Sequence, residues 1–177
     1  TNVATVNGTL VTIVGAGVTS IKASQSGDSN FNAATDVSQP LTVNKANQTI
    51  TFGNALPNAT YGDSNFNLNS TSSSGLPVTY TSSNTGVATI SGNTVTIIGA
   101  GTSVITAKQI GNTNYNPAND VSETLAVAKA NQSITFNPLS DVDVNDSDFN
   151  LTATSSSNLA ITYASSNTNV ATITNNV

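Results

Sequence analysis

The chain has 177 residues, 37% of them hydrophobic and only 7% charged, with a net charge of −5. Its only cations are Lys22, Lys45, Lys108 and Lys129, too few and too scattered to bind phosphates, so nucleic acid is excluded as a partner. The absence of Cys, His, Met and Trp excludes disulfides, Fe–S clusters, thiolate zinc sites and histidine acid–base chemistry, and no apolar run of about 18 residues spans a membrane.

Apolar residues alternate with Thr and Ser from the start, so the chain reads as folded and β-rich, with a surface of hydroxyls and amides. It begins at Thr1 in a strand-like stretch, and any targeting segment is expected to lie before it. VATVNGTLVTIVGAG (Val3–Gly17) returns as VATISGNTVTIIGAG at Val87–Gly101. NKANQTITF (Asn44–Phe52) returns as AKANQSITF (Ala128–Phe136), and VTYTSSNTGVATI (Val78–Ile90) as ITYASSNTNVATI (Ile161–Ile173). Val3 and Val87 stand 84 residues apart, as do Lys45 and Lys129; Tyr80 and Tyr163 stand 83 apart, one residue being lost between Phe136 and Phe149.

This phase divides the chain into three parts. Residues 1–44 read as the C-terminal half of a repeat, 45–128 as a complete repeat and 129–177 as the N-terminal half of a further one. Each half alone would leave apolar residues in water. The expectation is a window onto a longer array, or an assembly in which halves from different chains complete each other. Within the complete repeat the pattern predicts seven strands: Gln48–Phe52, Asn65–Ser70, Val78–Ser82, Val87–Ile90, Thr94–Ile98, Ser103–Gln109 and Val121–Ala128. The fold class is therefore all-β, a β-sandwich with a period of about 84 residues and almost no helix. The expected core is Phe66, Tyr80, Ile90, Val95, Ile97, Ile105 and Leu125, which fall on the inward phase of their strands.

The hexapeptide GDSNFN occurs at Gly27–Asn32 and again at Gly62–Asn67, with looser copies GNTNYN at Gly111–Asn116 and NDSDFN at Asn145–Asn150. Its spacing suggests a calcium loop: Asp28, Asn30 and Asn32 stand at alternate positions, as do Asp63, Asn65 and Asn67. Against calcium, the sixth position is never Gly and the twelfth is Gln39 or Ser74. A turn that anchors its aromatic (Phe31, Phe66, Tyr115 or Phe149) in the core explains the same letters with fewer requirements. The acidic run containing Asp141, Asp143, Asp146 and Asp148 is the other place where calcium would sit; its alternative reading is a solvated turn. No cofactor is expected otherwise.

VTYTSSNTGVATISGNTVTIIGAGTSVITAKQ (Val78–Gln109) resembles the group 2 bacterial immunoglobulin-like domain of invasin- and intimin-type adhesins: an aromatic, Ser-Ser-Asn, Val-Ala-x-Ile, a Gly-rich corner, then an alternating strand. Tyr80 and Tyr163 stand where that family commonly has Trp, and a Tyr plug needs a partner for its hydroxyl. The resemblance implies seven-stranded immunoglobulin-like sandwiches in a secreted protein of the bacterial cell surface. The function expected from it is a stalk or extracellular fibre without catalysis, whose partners are neighbouring repeats of the same chain or fibre. Alternatives are a module that binds a glycan or host protein, directly or through a distal domain, and a filament subunit completed between chains. The family also suggests an isopeptide crosslink at Lys45 or Lys129, or between Lys108 and Glu123, against which no acid repeats beside the junction lysines. The Thr-rich strands read as ordinary β alternation, because a sandwich twists and cannot offer a flat ice-binding face.

Overall fold

A pleated strand sends successive side chains to opposite faces, so a period-two sequence puts its apolar residues on one side. The computed structural model describes residues 2–174, and among these no helix forms. Two units divide the chain, the first running to Lys129 and the second starting at Ala130.

The first unit opens with two antiparallel hairpins: β1 (Ala4–Asn7) with β2 (Leu10–Ile13), and β3 (Gly17–Ala23) with β4 (Val37–Val43). It continues with β5 (Ile50–Thr51), β6 (Ala59–Thr60), β7 (Phe66–Asn67), β8 (Thr71–Ser72) and β9 (Thr79–Ser82). It closes with β10 (Ala88–Ser91), β11 (Thr94–Ile97), β12 (Gly101–Lys108) and β13 (Val121–Ala128). One sheet has the order β6-β13-β12-β9, another β10-β11-β7, and β5 pairs with β8. Among the named strands all pairings are antiparallel except β6 on β13, where Ala59 faces Val127 and Thr60 faces Ala128; an isolated parallel bridge joins Ala46 to Tyr115.

Side chains of both larger sheets meet in one core. Val95 of β11, Ile105 of β12 and Leu125 of β13 are fully buried, each stabilising the fold by about 1.5–3 kcal/mol. The all-β arrangement is consistent with a β-sandwich. Phe66, Tyr80, Ile90 and Ile97 are half-buried and pack against the cluster from its margin.

Nine strands form between Gln48 and Ala128 where the pattern predicts seven. The stretch Asn65–Ser70 contributes only β7, and β6 and β8 are additions. At two residues each they are too short to show any periodicity.

Two local devices explain why this sequence folds as it does. Tyr80 meets Phe52 edge to face, with ring centroids 6.4 Å apart, and its hydroxyl accepts a hydrogen bond from the Ser70 amide at 2.8 Å. The Ser-Ser-Asn run makes the next turn. Ser82 Oγ donates to the Ala88 carbonyl at 2.7 Å and shares a hydrogen bond with buried Ser103, while the Val87 and Ala88 amides both donate to the Asn84 carbonyl.

The second unit repeats both devices. It contains the antiparallel pair β14 (Ile134–Thr135) and β15 (Thr154–Ser155). The Tyr163 hydroxyl accepts from the Ala153 amide at 3.0 Å, its ring lies 5.8 Å from Phe136, and the Val170 and Ala171 amides both donate to the Asn167 carbonyl. Among the described residues of this unit no longer strand develops around them.

Tyr80→Ala is expected to lower unfolding free energy by about 3 kcal/mol, the low end for large aromatics because part of the ring stays in water. Tyr80→Phe removes only the acceptor for the Ser70 amide and should cost about 1–2 kcal/mol. Ser70 Oγ is itself buried without a partner, and the equivalent position is Ala153. Ser70→Ala should therefore raise stability by about 1 kcal/mol. Chemical denaturation of the three variants checks all these values.

Candidate functional site

The repeated hexapeptide forms two different turns. In GDSNFN at Gly27, Asp28 Oδ1 accepts from the Asn30 and Phe31 amides at 2.7 and 3.0 Å, and the Asp28 amide donates to the Phe31 carbonyl. GNTNYN, 84 residues later, repeats this with Asn112 Oδ1 accepting from the Asn114 and Tyr115 amides. The identical letters at Gly62 behave otherwise. There Asp63 Oδ2 accepts from the Thr60 amide at 2.7 Å, and Asp146 Oδ2 accepts from the Asp143 amide at 2.8 Å in the related turn. The first kind connects β3 to β4 and β12 to β13; the second precedes β7.

In both kinds the leading side-chain oxygen is occupied by backbone amides, which is how Asx residues close turns. Asn67 Oδ1 accepts from Thr94 Oγ1 at 2.9 Å, and Asn30, Asn32, Asn65 and Asp148 are exposed. Among the described residues no three Asp, Glu, His or Cys side chains converge as a metal cage would require, Asp141, Asp143, Asp146 and Asp148 included.

The aromatics of these turns, all four expected to anchor in the core, differ in burial. Tyr115 and Phe66 are half-buried, but Phe31 is 73% and Phe149 54% exposed. The covering strands account for the difference. Ala46 bridges Tyr115 and Val95 pairs with Phe66, whereas no described segment occupies the corresponding place against Phe31 or Phe149.

The most connected polar site is a buried pair of amides that sequence reasoning missed. Gln48 Nε2 donates to Gln109 Oε1 at 2.6 Å and to the Asn116 carbonyl at 2.7 Å. Gln48 Oε1 accepts from Ser74 Oγ at 2.5 Å, and Gln109 Oε1 also accepts from the Gly111 amide. Recurrence at Gln132 and Gln25 was the available signal, obscured by Gln being an ordinary surface residue.

A second node lies at the passage from β4 to the complete repeat. β4 ends at Val43 and Ala46 is already bridged to Tyr115, so two residues make the connection. Asn114 Oδ1 accepts from the Ala16 amide at 2.9 Å, and Lys45 Nζ donates to the Asn112 carbonyl at 2.7 Å. Gly15 permits the approach, since a Cβ there would stand 3.0 Å from Asn114 Oδ1. An open groove of about 220 Å³ between these segments is lined by Ile13, Val43, Ala46 and Tyr115 among others.

The lysines do not pair as the crosslink reading requires. Lys108 meets Asp120, the residue before β13, at 3.1 Å, while Glu123 lies opposite Ile105 and accepts from the Leu56 amide. Lys22 meets Asp36 at 2.8 Å. Both ion pairs are solvent-exposed and contribute at most about 1 kcal/mol. No protein family, curated protein or solved structure matches the chain.

Chelator or added calcium is expected to leave the melting temperature unchanged, because the leading oxygens are bonded to amides; a rise of several degrees with calcium would place an ion at Asp28, Asp63 or Asp146. Gly111→Ala should destabilise by about 2 kcal/mol or more, since φ there is +77° and a Cβ would stand 2.3 Å from the Tyr115 carbonyl oxygen. Calorimetry reads both.

Proposed function

We propose that the chain is a section of a tandem array of immunoglobulin-like β-sandwiches, serving as a stiff, non-catalytic spacer in a secreted bacterial surface adhesin or extracellular fibre. The sheet orders support this: β9, β12, β13 and β6 stand against β10, β11 and β7, with an early strand parallel to the last one. The resemblance of Val78–Gln109 to adhesin repeats supports the cellular setting.

The observation that carries the reading is the junction between residues 2–44 and the complete repeat. Two residues of connection, an amide–carboxamide bond from Ala16 to Asn114 and a lysine bond from Lys45 to Asn112 leave little freedom for one part to swing on the other. A surface with few charges keeps such a rod from strong attraction to other macromolecules.

Because the chain lacks cysteine, spin labels can be placed at Ser20→Cys and Thr85→Cys, one on each side of this junction. Pulsed-EPR distances between them are expected to form one narrow distribution that broadens in Asn114→Ala. A broad distribution in the parent protein would overturn the spacer reading.

A further inference from the structure

Of the chain's asparagines, only Asn7 is followed by glycine. It is the last residue of β1, pairs with Leu10 at the start of β2, and leaves Gly8 and Thr9 as a two-residue turn. Such a turn needs a positive φ, which Gly8 supplies at +59°. It makes no such demand on the residue before it: the corresponding hairpin of the complete repeat has Ser91 there, ahead of Gly92 at φ +60°. We propose that Asn7 is a site of spontaneous covalent modification in the folded protein, its carboxamide being attacked by the backbone nitrogen of Gly8. This does not depend on the spacer reading.

The turn leaves both reacting groups free. The Asn7 side chain is exposed, and among the described residues no hydrogen bond holds its carboxamide. The Asn84, Asn112 and Asn167 carboxamides, by contrast, are held by the amides of Gly86, Asn114 and Asn169. The Gly8 amide has no backbone partner among the described residues, and no atom lies within 4 Å of the place a Cβ would take, so nothing crowds the nitrogen. Nucleophile and carbonyl belong to adjacent residues, which makes the step intramolecular. Asn7 must leave its extended conformation to reach Gly8; fraying of the terminal Asn7–Leu10 pair, the least costly opening of a hairpin, allows this. The openness of the turn belongs to the hairpin itself, because Ser91 and Gly92 are also exposed within the complete repeat, with nothing within 4 Å of a Cβ at Gly92.

In the reaction the Gly8 nitrogen bonds to Asn7 Cγ and gives up its proton, and the side-chain nitrogen departs as ammonia, leaving a five-membered succinimide. Water then opens the ring. Addition at Cγ yields aspartate on an unchanged backbone; addition at the main-chain carbonyl of Asn7 yields isoaspartate, whose chain runs through the side-chain carbon. Either way one amide and one water become one carboxylic acid and one ammonia, without oxidant, metal or enzyme. Both products put a negative charge on the turn. Isoaspartate also adds one backbone atom ahead of Gly8, which breaks the pairing of this position with Leu10. Thr5–Thr12 and Val6–Val11 keep their register, so the change is confined to the tip of the hairpin.

The test incubates the whole folded polypeptide at mildly alkaline pH, where the attacking nitrogen loses its proton more readily, and follows it by peptide mapping with tandem mass spectrometry. Asn7 is expected to lose its amide before any other asparagine, to give a mixture of aspartate and isoaspartate, and to react faster as the pH is raised. Asn7→Ser, which copies the complete repeat, should abolish that loss and leave the β-sheet circular dichroism spectrum unchanged. Ser91→Asn should install a second reactive position in the complete repeat. Retention of the Asn7 amide in the folded protein while it is lost in urea, earlier loss at an asparagine not followed by glycine, or an unreactive position 91 in Ser91→Asn would each overturn the proposal.

Discussion

The fold closes through two buried amides. Gln48 lies just before β5 and Gln109 just after β12, 61 residues apart, and their hydrogen bond ties the start of the complete repeat to the last hairpin. In a low-dielectric interior a carboxamide is tolerated only with its donors and acceptors satisfied. Gln48 meets that demand by binding Asn116, Ser74 and Gln109 together, which fixes the β12–β13 turn against the β5 side. An apolar pair of similar size would pack there with less angular constraint, and the turn carrying Asn112, Asn114 and Tyr115 would lose its fixed position. The junction bonds from Ala16 and Lys45 land on that same turn, so their geometry follows from the amide pair.

How much was legible in the sequence depended on how local the determinant was. The Ser-Ser-Asn turn and the Tyr plug form in the second unit much as in the first, so residues close in sequence suffice for them. The long strands were also readable, because β12 and β13 alternate cleanly between Ser103, Ile105 and Ala107 inward and their neighbours outward. GDSNFN was not readable in this way. Six identical letters close one turn through the amides that follow the Asp and another through an amide that precedes it. The choice is made by whether a hairpin or a strand entry flanks the hexapeptide, a tertiary override of local preference. The amide network escaped notice for a related reason: polar letters are placed on the surface unless a partner is visible, and here the partner is 61 residues away.

The surface makes sparing use of charge. Asp36 and Asp120 are equivalent positions, yet the lysines that reach them, Lys22 and Lys108, are not; they sit two positions apart in the cycle, on the same face of the strand. The acid is the fixed partner, and a lysine from either of two places on its neighbour satisfies it. Long flexible side chains permit this, and the small energy of an exposed pair means that little depends on which solution is used.

The parallel contact between β6 and β13 bears on how the repeat responds to load. Tension along the chain enters at the β5 side and leaves through β13. Since β6 and β13 run in the same direction, pulling their outer ends slides one strand along the other. The bonds of this short ladder, the Tyr61 amide on the Ala128 carbonyl among them, resist together in that geometry. An antiparallel hairpin pulled from its open end would instead yield one bond at a time. A two-residue strand that adds little to thermodynamic stability therefore stands where shear is concentrated, and the force at which the domain gives way is governed by a different part of the molecule from its melting temperature.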